Sequence, residues 1–192
     1  MSEPQEPMLI QAPLGASVAR ALRAGTRVLI TGTLLTARDA AHKRLVAVAE
    51  RGEALPVDLK GQVIYYTGPT PAPPGSVIGA AGPTTAARMD PFTPALLSLG
   101  VRGMIGKGER SPEVVQAIKQ HGAVYFAALG GAGALLSLHV VASQVVAYPD
   151  LGAEAIRRLE VKEFPAMVAI DSRGGNLFER GVAEWRGRAS AG

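Results

Sequence analysis

Residues 27–39 read Arg27-Val28-Leu29-Ile30-Thr31-Gly32-Thr33-Leu34-Leu35-Thr36-Ala37-Arg38-Asp39. The run over 27–35 is rich in β-branched and aliphatic residues and predicts a strand. Asp39 is a residue type that caps helices, and Ala40, Ala41, Leu45 and Val48 carry an apolar pattern on to about Ala49. A strand feeding a helix is the unit of an α/β fold, and the unit recurs downstream. Gln62-Val63-Ile64-Tyr65-Tyr66 predicts a short strand opening into an extended loop with Pro69, Pro71, Pro73 and Pro74. Residues 76–80 read as another strand. Asp90-Pro91 combines a cap with a first-turn proline and predicts a helix that Gly100 stops. A strand over 101–105 follows, then a helix started by Ser111-Pro112-Glu113 and ended by Gly122. Residues 123–128 predict a strand, and Gly130 a turn into a short apolar helix. The remaining strands are predicted at 144–148, 166–170 and 177–179, the last two joined by a hairpin-type turn at Ser172-Arg173-Gly174-Gly175-Asn176. Alternation in the middle with hairpins at the end predicts an α/β domain with a mixed sheet. It is expected over 11–182, between a flexible N-terminus at 1–10 and a flexible tail at 183–192.

Composition narrows the function classes. The chain has 192 residues, of which 47% are hydrophobic and 19% charged, which excludes an intrinsically disordered protein. Lys and Arg number 20 against 16 Asp and Glu, so the net charge of +4 gives no electrostatic footprint for nucleic acid. The absence of cysteine excludes disulfides, a thiol nucleophile and any thiolate-held metal centre built from this chain alone. Residues 122–149 contain no Asp, Glu, Lys or Arg, long enough to span a bilayer. Glycines at 130, 131 and 133, then Ser137, His139, Ser143 and Gln144, break that stretch, so it reads as buried strand and helix instead. Glu3 and Glu6 beside prolines do not make a signal peptide. The expectation is a cytoplasmic domain with no membrane association.

Charge placed inside neutral sequence marks candidate chemistry. Residues 61–87 carry no charged side chain, and then Arg88 appears four residues after Thr84. If 84–88 begins a helical turn, the hydroxyl, the guanidinium and the helix N-terminus form a clamp for a carboxylate or phosphate. The alternative is that Arg88 simply pairs with Asp90 or another surface carboxylate, which spacing alone favours. Gly103-Met104-Ile105-Gly106-Lys107-Gly108 places a lysine where it can approach an anion, though Val101 stands where a nucleotide P-loop needs its first glycine. Gly130-Gly131-Ala132-Gly133 fails the dinucleotide pattern because Leu136 takes the third glycine's place, and it predicts tight helix packing. Arg38, Asp39, His42 and Lys43 form the densest polar cluster after a strand. His42, His121 and His139 lack metal-ligand spacing. Residues alone thus give a candidate anion site with its chemistry open.

Several ordered segments then coincide. Arg38-Asp39-Ala40-Ala41-His42-Lys43-Arg44, Gly61-Gln62-Val63-Ile64-Tyr65-Tyr66 and Gly68-Pro69 resemble the class I fumarate hydratase family. So do Gly82-Pro83-Thr84-Thr85 with Arg88-Met89-Asp90, Ile105-Gly106-Lys107-Gly108, Phe164-Pro165-Ala166 and Asp171-Ser172-Arg173-Gly174. The chain is similar to the stand-alone beta subunit, equivalent to the C-terminal domain of fused enzymes and to the beta subunit of L(+)-tartrate dehydratase. The resemblance implies a swivelling β/β/α domain. It implies an alpha subunit partner whose cysteines hold a 4Fe-4S cluster with one iron open to substrate, in an alpha2beta2 assembly. It also implies reversible hydration of fumarate to (S)-malate, with dehydration of L-tartrate to oxaloacetate as the alternative. Arg38, Arg88 and Lys107 fall on substrate-carboxylate contacts and Thr84 on the proton acceptor, while Asp39 and His42 are expected to support Arg38. The alternative of another class is a non-catalytic anion-binding or regulatory module.

Overall fold

The computed structural model describes residues 6–128 and 131–189. Its strands are β1 (Met8–Ala12), β2 (Arg27–Thr36), β3 (Val63–Tyr65), β4 (Gly103–Gly106), β5 (Val124–Ala127), β6 (Val140–Ala147) and β7 (Ile156–Ile170). The helices are α1 (Ala16–Ala21), α2 (Asp39–Glu50), α3 (Thr93–Ser98), α4 (Pro112–His121), α5 (Gly133–Ser137) and α6 (Leu177–Ala189), with 3-10 segments at Ala86–Met89 and Pro149–Glu154. Strands β1 to β5 are parallel and adjacent in chain order. The long β7 runs antiparallel against both β2 and β5 and so closes β2-β3-β4-β5-β7 into a five-stranded ring. Strands β1 and β6 are appended to β2 and β7. The fold is therefore α/β with a mixed sheet, as expected.

Period-two alternation splits the core in two. Leu34, Tyr65, Ile105, Phe126, Leu159 and Phe164 point inward and fill the ring. Leu35, Ile64, Tyr66, Met104 and Tyr125 point outward, onto Ala41 and Leu45 of α2, Leu96 and Leu97 of α3, and Val114 and Ile118 of α4. Helices on one side and a closed ring on the other leave the carboxyl ends of the parallel strands as the open rim.

Several expectations are corrected. Strand β1 begins at Met8, inside the stretch read as a loose N-terminus. Asp39 is the first residue of α2 and not its cap; Arg38 occupies the cap position. Residues 76–80 are not a strand: Thr70 N donates to Ala80 O (3.0 Å) and Gly79 N to Thr70 O (3.1 Å), so they close the neck of the proline loop. Asp90 caps nothing, because its carboxylate is taken by Arg110, and α3 begins only at Thr93. Strand β7 starts ten residues earlier than its apolar end at 166–170 suggests; its alternation is interrupted at Glu163, whose φ is 52°. Residues 177–179 open helix α6, which also covers most of the expected tail. Asn176 caps it, its Oδ1 accepting from Phe178 N (3.1 Å) while its Nδ2 donates to Glu179 Oε1 (2.9 Å). Helix α4 matches its reading fully, from the Ser111 cap to Gly122 in the left-handed region. The turn expected at Gly130 lies outside the described residues. No helix among the described residues is long and apolar enough to cross a membrane.

The Asp171 motif is structural. It lies past the end of β7, at the opposite end of the ring from Arg38, and is 4% exposed. Its carboxylate accepts from Ala24 N (2.9 Å), Arg173 N (2.9 Å) and Gly175 N (3.0 Å). Burial alone would raise its pKa, but these donors and Arg23 outweigh burial and hold it below the ordinary value. Asp171→Asn is expected to cost about 2 kcal/mol, since charge-assisted bonds are lost and a buried donor is left unpaired. Urea unfolding of the two forms checks this. The contribution is present above the ordinary carboxylate pKa and lost as pH falls through the folded one.

Candidate functional site

Strand ends build the site. Arg38 stands two residues past β2, Tyr66 one past β3 and Lys107 one past β4, the rim where parallel sheets receive ligands. The segment carrying Thr84 is sewn onto this rim by its main chain: Thr84 N donates to Tyr66 O (2.7 Å), Lys107 N to Thr84 O (3.2 Å) and Ala86 N to Lys107 O (2.8 Å). Close approach demands Gly106 here, because a Cβ would lie 3.0 Å from both Ala86 Cβ and Tyr66 Cδ2. Thr84 and Lys107 are thereby neighbours although 23 positions apart. Among the described residues, neither the Thr84 hydroxyl nor the Lys107 ammonium has a side-chain partner.

Arg38 and Arg88 meet through Asp39. Arg88 Nε donates to Asp39 Oδ1 at 2.9 Å, and Arg38 Nε lies 3.9 Å from Asp39 Oδ2. Arg88 therefore pairs with a carboxylate, but with Asp39 and not with the Asp90 named from spacing. The clamp built on a helix N-terminus is corrected too, since Thr84 precedes a 3-10 segment of only four residues. Asp39, expected behind Arg38, makes its short bond to Arg88. His42 touches Arg38 through the main chain: its Nδ1–H donates to Arg38 O at 2.9 Å. The imidazole is fully buried, edge-on to Tyr66 with ring centres 5.2 Å apart. Burial, partly opposed by the Arg38 bond, lowers its pKa from 6.5 to about 4, so the ring is neutral.

Three further residues shape the site without a local sequence signal. Glu154, from the segment before β7, accepts from Ala40 N (3.0 Å) and faces Arg38 Nη2 at 3.5 Å. Gly68 leaves room for the Arg38 guanidinium, whose Nη1 would sit 3.1 Å from an added Cβ. Arg110, with its side chain fully buried, donates to Asp90 Oδ1 (2.6 Å) and Thr93 Oγ1 (2.7 Å) between the rings of Tyr66 and Tyr125. By binding Asp90 it anchors the chain immediately after Arg88.

Two guanidinium groups, one ammonium and one hydroxyl on a single rim can bind a small anion with more than one carboxylate. Comparison with known proteins gives this chemistry its context. The family described as "Fumarase C-terminus" matches residues 5–181. The chain belongs to this family. Fumarate hydratase 2 of Leishmania major is 39% identical over 161 residues, which are 83% of this chain and 28% of that protein. Fumarate hydratase class I, aerobic, of Escherichia coli is 41% identical over 157 residues, 81% of this chain and 29% of that protein. The chain thus spans little more than a quarter of these fumarate hydratases. A Methanocaldococcus jannaschii protein bears the provisional name L(+)-tartrate dehydratase subunit beta. It is 37% identical over 164 residues, 82% of this chain and 84% of its own length. The fumarase C-terminus relatives are by name hydro-lyases, and the resemblance read in the sequence is to the right family and the right region of it. The 4Fe-4S cluster that goes with the resemblance could take no thiolate from this chain. The sequence has no cysteine, and among the described residues no three His, Asp or Glu side chains gather to hold a metal.

Proposed function

We propose that this chain is the beta subunit of a hydro-lyase that reversibly hydrates fumarate to (S)-malate, contributing the carboxylate-binding half of an active site shared with an alpha subunit. The observation that carries the reading is the joining of Arg38 and Arg88 through Asp39 on the same rim as Thr84 and Lys107. A four-carbon dicarboxylate needs cations for both ends and a proton acceptor at C3. Arg38 and Arg88 offer planar forks for carboxylate oxygens, Lys107 a compact positive charge, and Thr84 the oxygen that, once deprotonated, takes the C3 proton in dehydration and returns it in hydration. The 4Fe-4S cluster is assigned to cysteines of the alpha subunit, and the assembly to alpha2beta2 in the cytoplasm. The domain is taken as the swivelling β/β/α type, with which the closed ring and mixed sheet are compatible. A second reading, L(+)-tartrate dehydratase beta subunit, is favoured by one fact: the relative of which the chain covers 84%, against little more than a quarter of the fumarate hydratases, carries that name.

The test is anaerobic purification of the tagged chain from its native host, followed by assays of fumarate hydration and L-tartrate dehydration. Co-purification of a cysteine-bearing iron–sulfur chain with fumarate turnover supports the leading reading, and tartrate-selective turnover promotes the second. A lone chain without iron or turnover overturns both in favour of the anion-binding module. In the active complex, Arg88→Ala is expected to lower kcat/KM about thirtyfold with assembly intact, which corresponds to about 2 kcal/mol, the low end for truncating a charge pair. The low end applies because the Arg88 side chain is half exposed. Normal turnover would remove Arg88 from the site.

A further inference from the structure

Arg38 occupies the N-cap of α2, a position that favours Ser, Thr, Asp or Asn because their oxygens accept from the first free N–H groups. A guanidinium has five donors and no acceptor, so Arg38 cannot cap its own helix. Glu154 supplies the missing acceptor from 114 residues downstream, through Oε2 to Ala40 N at 3.0 Å. Its other oxygen, Oε1, stands 3.5 Å from Arg38 Nη2. One carboxylate thus completes the helix start and faces the guanidinium that displaced the usual cap. We propose that Glu154 is the positioning residue for Arg38, holding its guanidinium toward the rim where a substrate carboxylate binds.

The segment that carries Glu154 is anchored at both ends, as such a role requires. Before it, Asp150 accepts two bonds from Arg44 of α2, at 2.9 and 2.5 Å, and Arg44 lies over the Tyr148 ring at 5.2 Å. After it, the buried Thr36 hydroxyl at the end of β2 donates to Ala155 O (3.3 Å) and accepts from Arg157 N (3.0 Å). Residues Pro149–Glu154 therefore form a strap across the start of α2, fixed to the elements that flank Arg38. Gly68 packs close to the same guanidinium, since a Cβ added there would lie 3.1 Å from Arg38 Nη1 and 2.9 Å from Ala153 O. Arg38 Nε is buried without a hydrogen bond, its Asp39 carboxylate standing off at 3.9 Å, so the orientation of the guanidinium depends on Asp39, Gly68 and Glu154 together.

The kinetic readout of this inference rests on the function proposed above; a second readout does not. Glu154→Gln keeps an acceptor for Ala40 N, and in doing so turns its amide N–H groups toward Arg38, donor against donor. In the complex with the alpha subunit, kcat/KM for the dicarboxylate is expected to fall about fivefold, the scale of a partly exposed ion pair. The melting temperature should stay within about 2 °C of wild type, because the helix start is kept. In an Arg38→Ala background the same change should cost less than about twofold, since nothing is left to position. Equal losses in both backgrounds, or no loss in the wild-type background, would overturn the proposal. Independently, the Arg38 Nε–H resonance of the 15N-labelled full chain should be dispersed and slow to exchange in wild type and shifted with fast exchange in Glu154→Gln. An unchanged resonance overturns the proposal without reference to catalysis. If the complex turns over neither fumarate nor tartrate, the functional reading fails alone and this resonance decides the role of Glu154.

Discussion

Thr84→Val in the assembled complex is expected to lower kcat by about 10²- to 10⁴-fold, the range a positioned general base contributes. Valine matches threonine in shape and keeps the β-branch, so the main-chain bonds to Tyr66 O and from Lys107 N, at 2.7 and 3.2 Å, should persist. What is lost is one oxygen. A free threonine hydroxyl is a poor base at neutral pH, so the role demands that its deprotonated form be favoured by the surroundings. Lys107, one residue past β4, is bonded to Thr84 through the main chain and the Arg88 guanidinium is engaged by Asp39, so the activation is assigned to the cationic surroundings of the assembled site or to a group of the other subunit. A loss confined to kcat, with KM near wild type, identifies an interaction made in the transition state. A rate within a few-fold of wild type would assign the proton to a group of the alpha subunit and leave Thr84 as a substrate contact.

The units of the fold that the sequence displays are those whose signals are local. Helix α4 carries cap, first-turn proline and terminal glycine within twelve positions, and it is found where those place it. Strands β2 to β5 are legible because parallel strands covered on both faces are short, uniformly apolar runs. Strand β7 is not, because most of it alternates buried residues with Arg157, Arg158, Glu160 and Lys162, and its pairing with both β2 and β5 is decided by ring closure. Asp39 and Asp90 show the same limit from the other direction. Each has the composition of a helix cap, yet Arg88 and Arg110, 49 and 20 positions away, take their carboxylates. A charged partner distant in sequence draws the carboxylate away from the adjacent helix start, and no window of sequence reveals where that partner will be. Arg38, Thr84, Arg88 and Lys107 were legible as a set only through family resemblance. Their juxtaposition follows from strand order, and Glu154, which no local pattern marks, follows from the return of β7 to the edge of β2.

His42 sets the acid limit of the fold. In the folded chain its ring is fully buried, with Nδ1–H bonded to Arg38 O and Nε2 without a partner, so a second proton has nowhere favourable to go. Burial is the main cause of the lowered pKa; Arg110 adds to it, while the Arg38 carbonyl and Asp39 oppose it without prevailing. The folded value is about 4 against an ordinary 6.5. Between those values the unfolded chain binds a proton that the folded chain refuses, so acidification favours unfolding. The contribution is fully present above pH 6.5 and is lost as pH falls toward 4, a total of about 3 kcal/mol. Asp171 acts in a lower window, below its ordinary value of 3.8, so the two effects separate on the pH axis. Urea titrations from pH 7.5 to 4.5 should show stability declining with a slope approaching one proton. In His42→Asn, whose amide can still donate to Arg38 O but does not titrate, that slope should largely vanish even though the absolute stability is lower. A His42 resonance titrating near 6.5 in the folded protein would contradict the assignment. If it holds, loss of activity below neutral pH begins with the unpinning of Arg38 and the start of α2, and substrate should oppose it by binding only the folded rim.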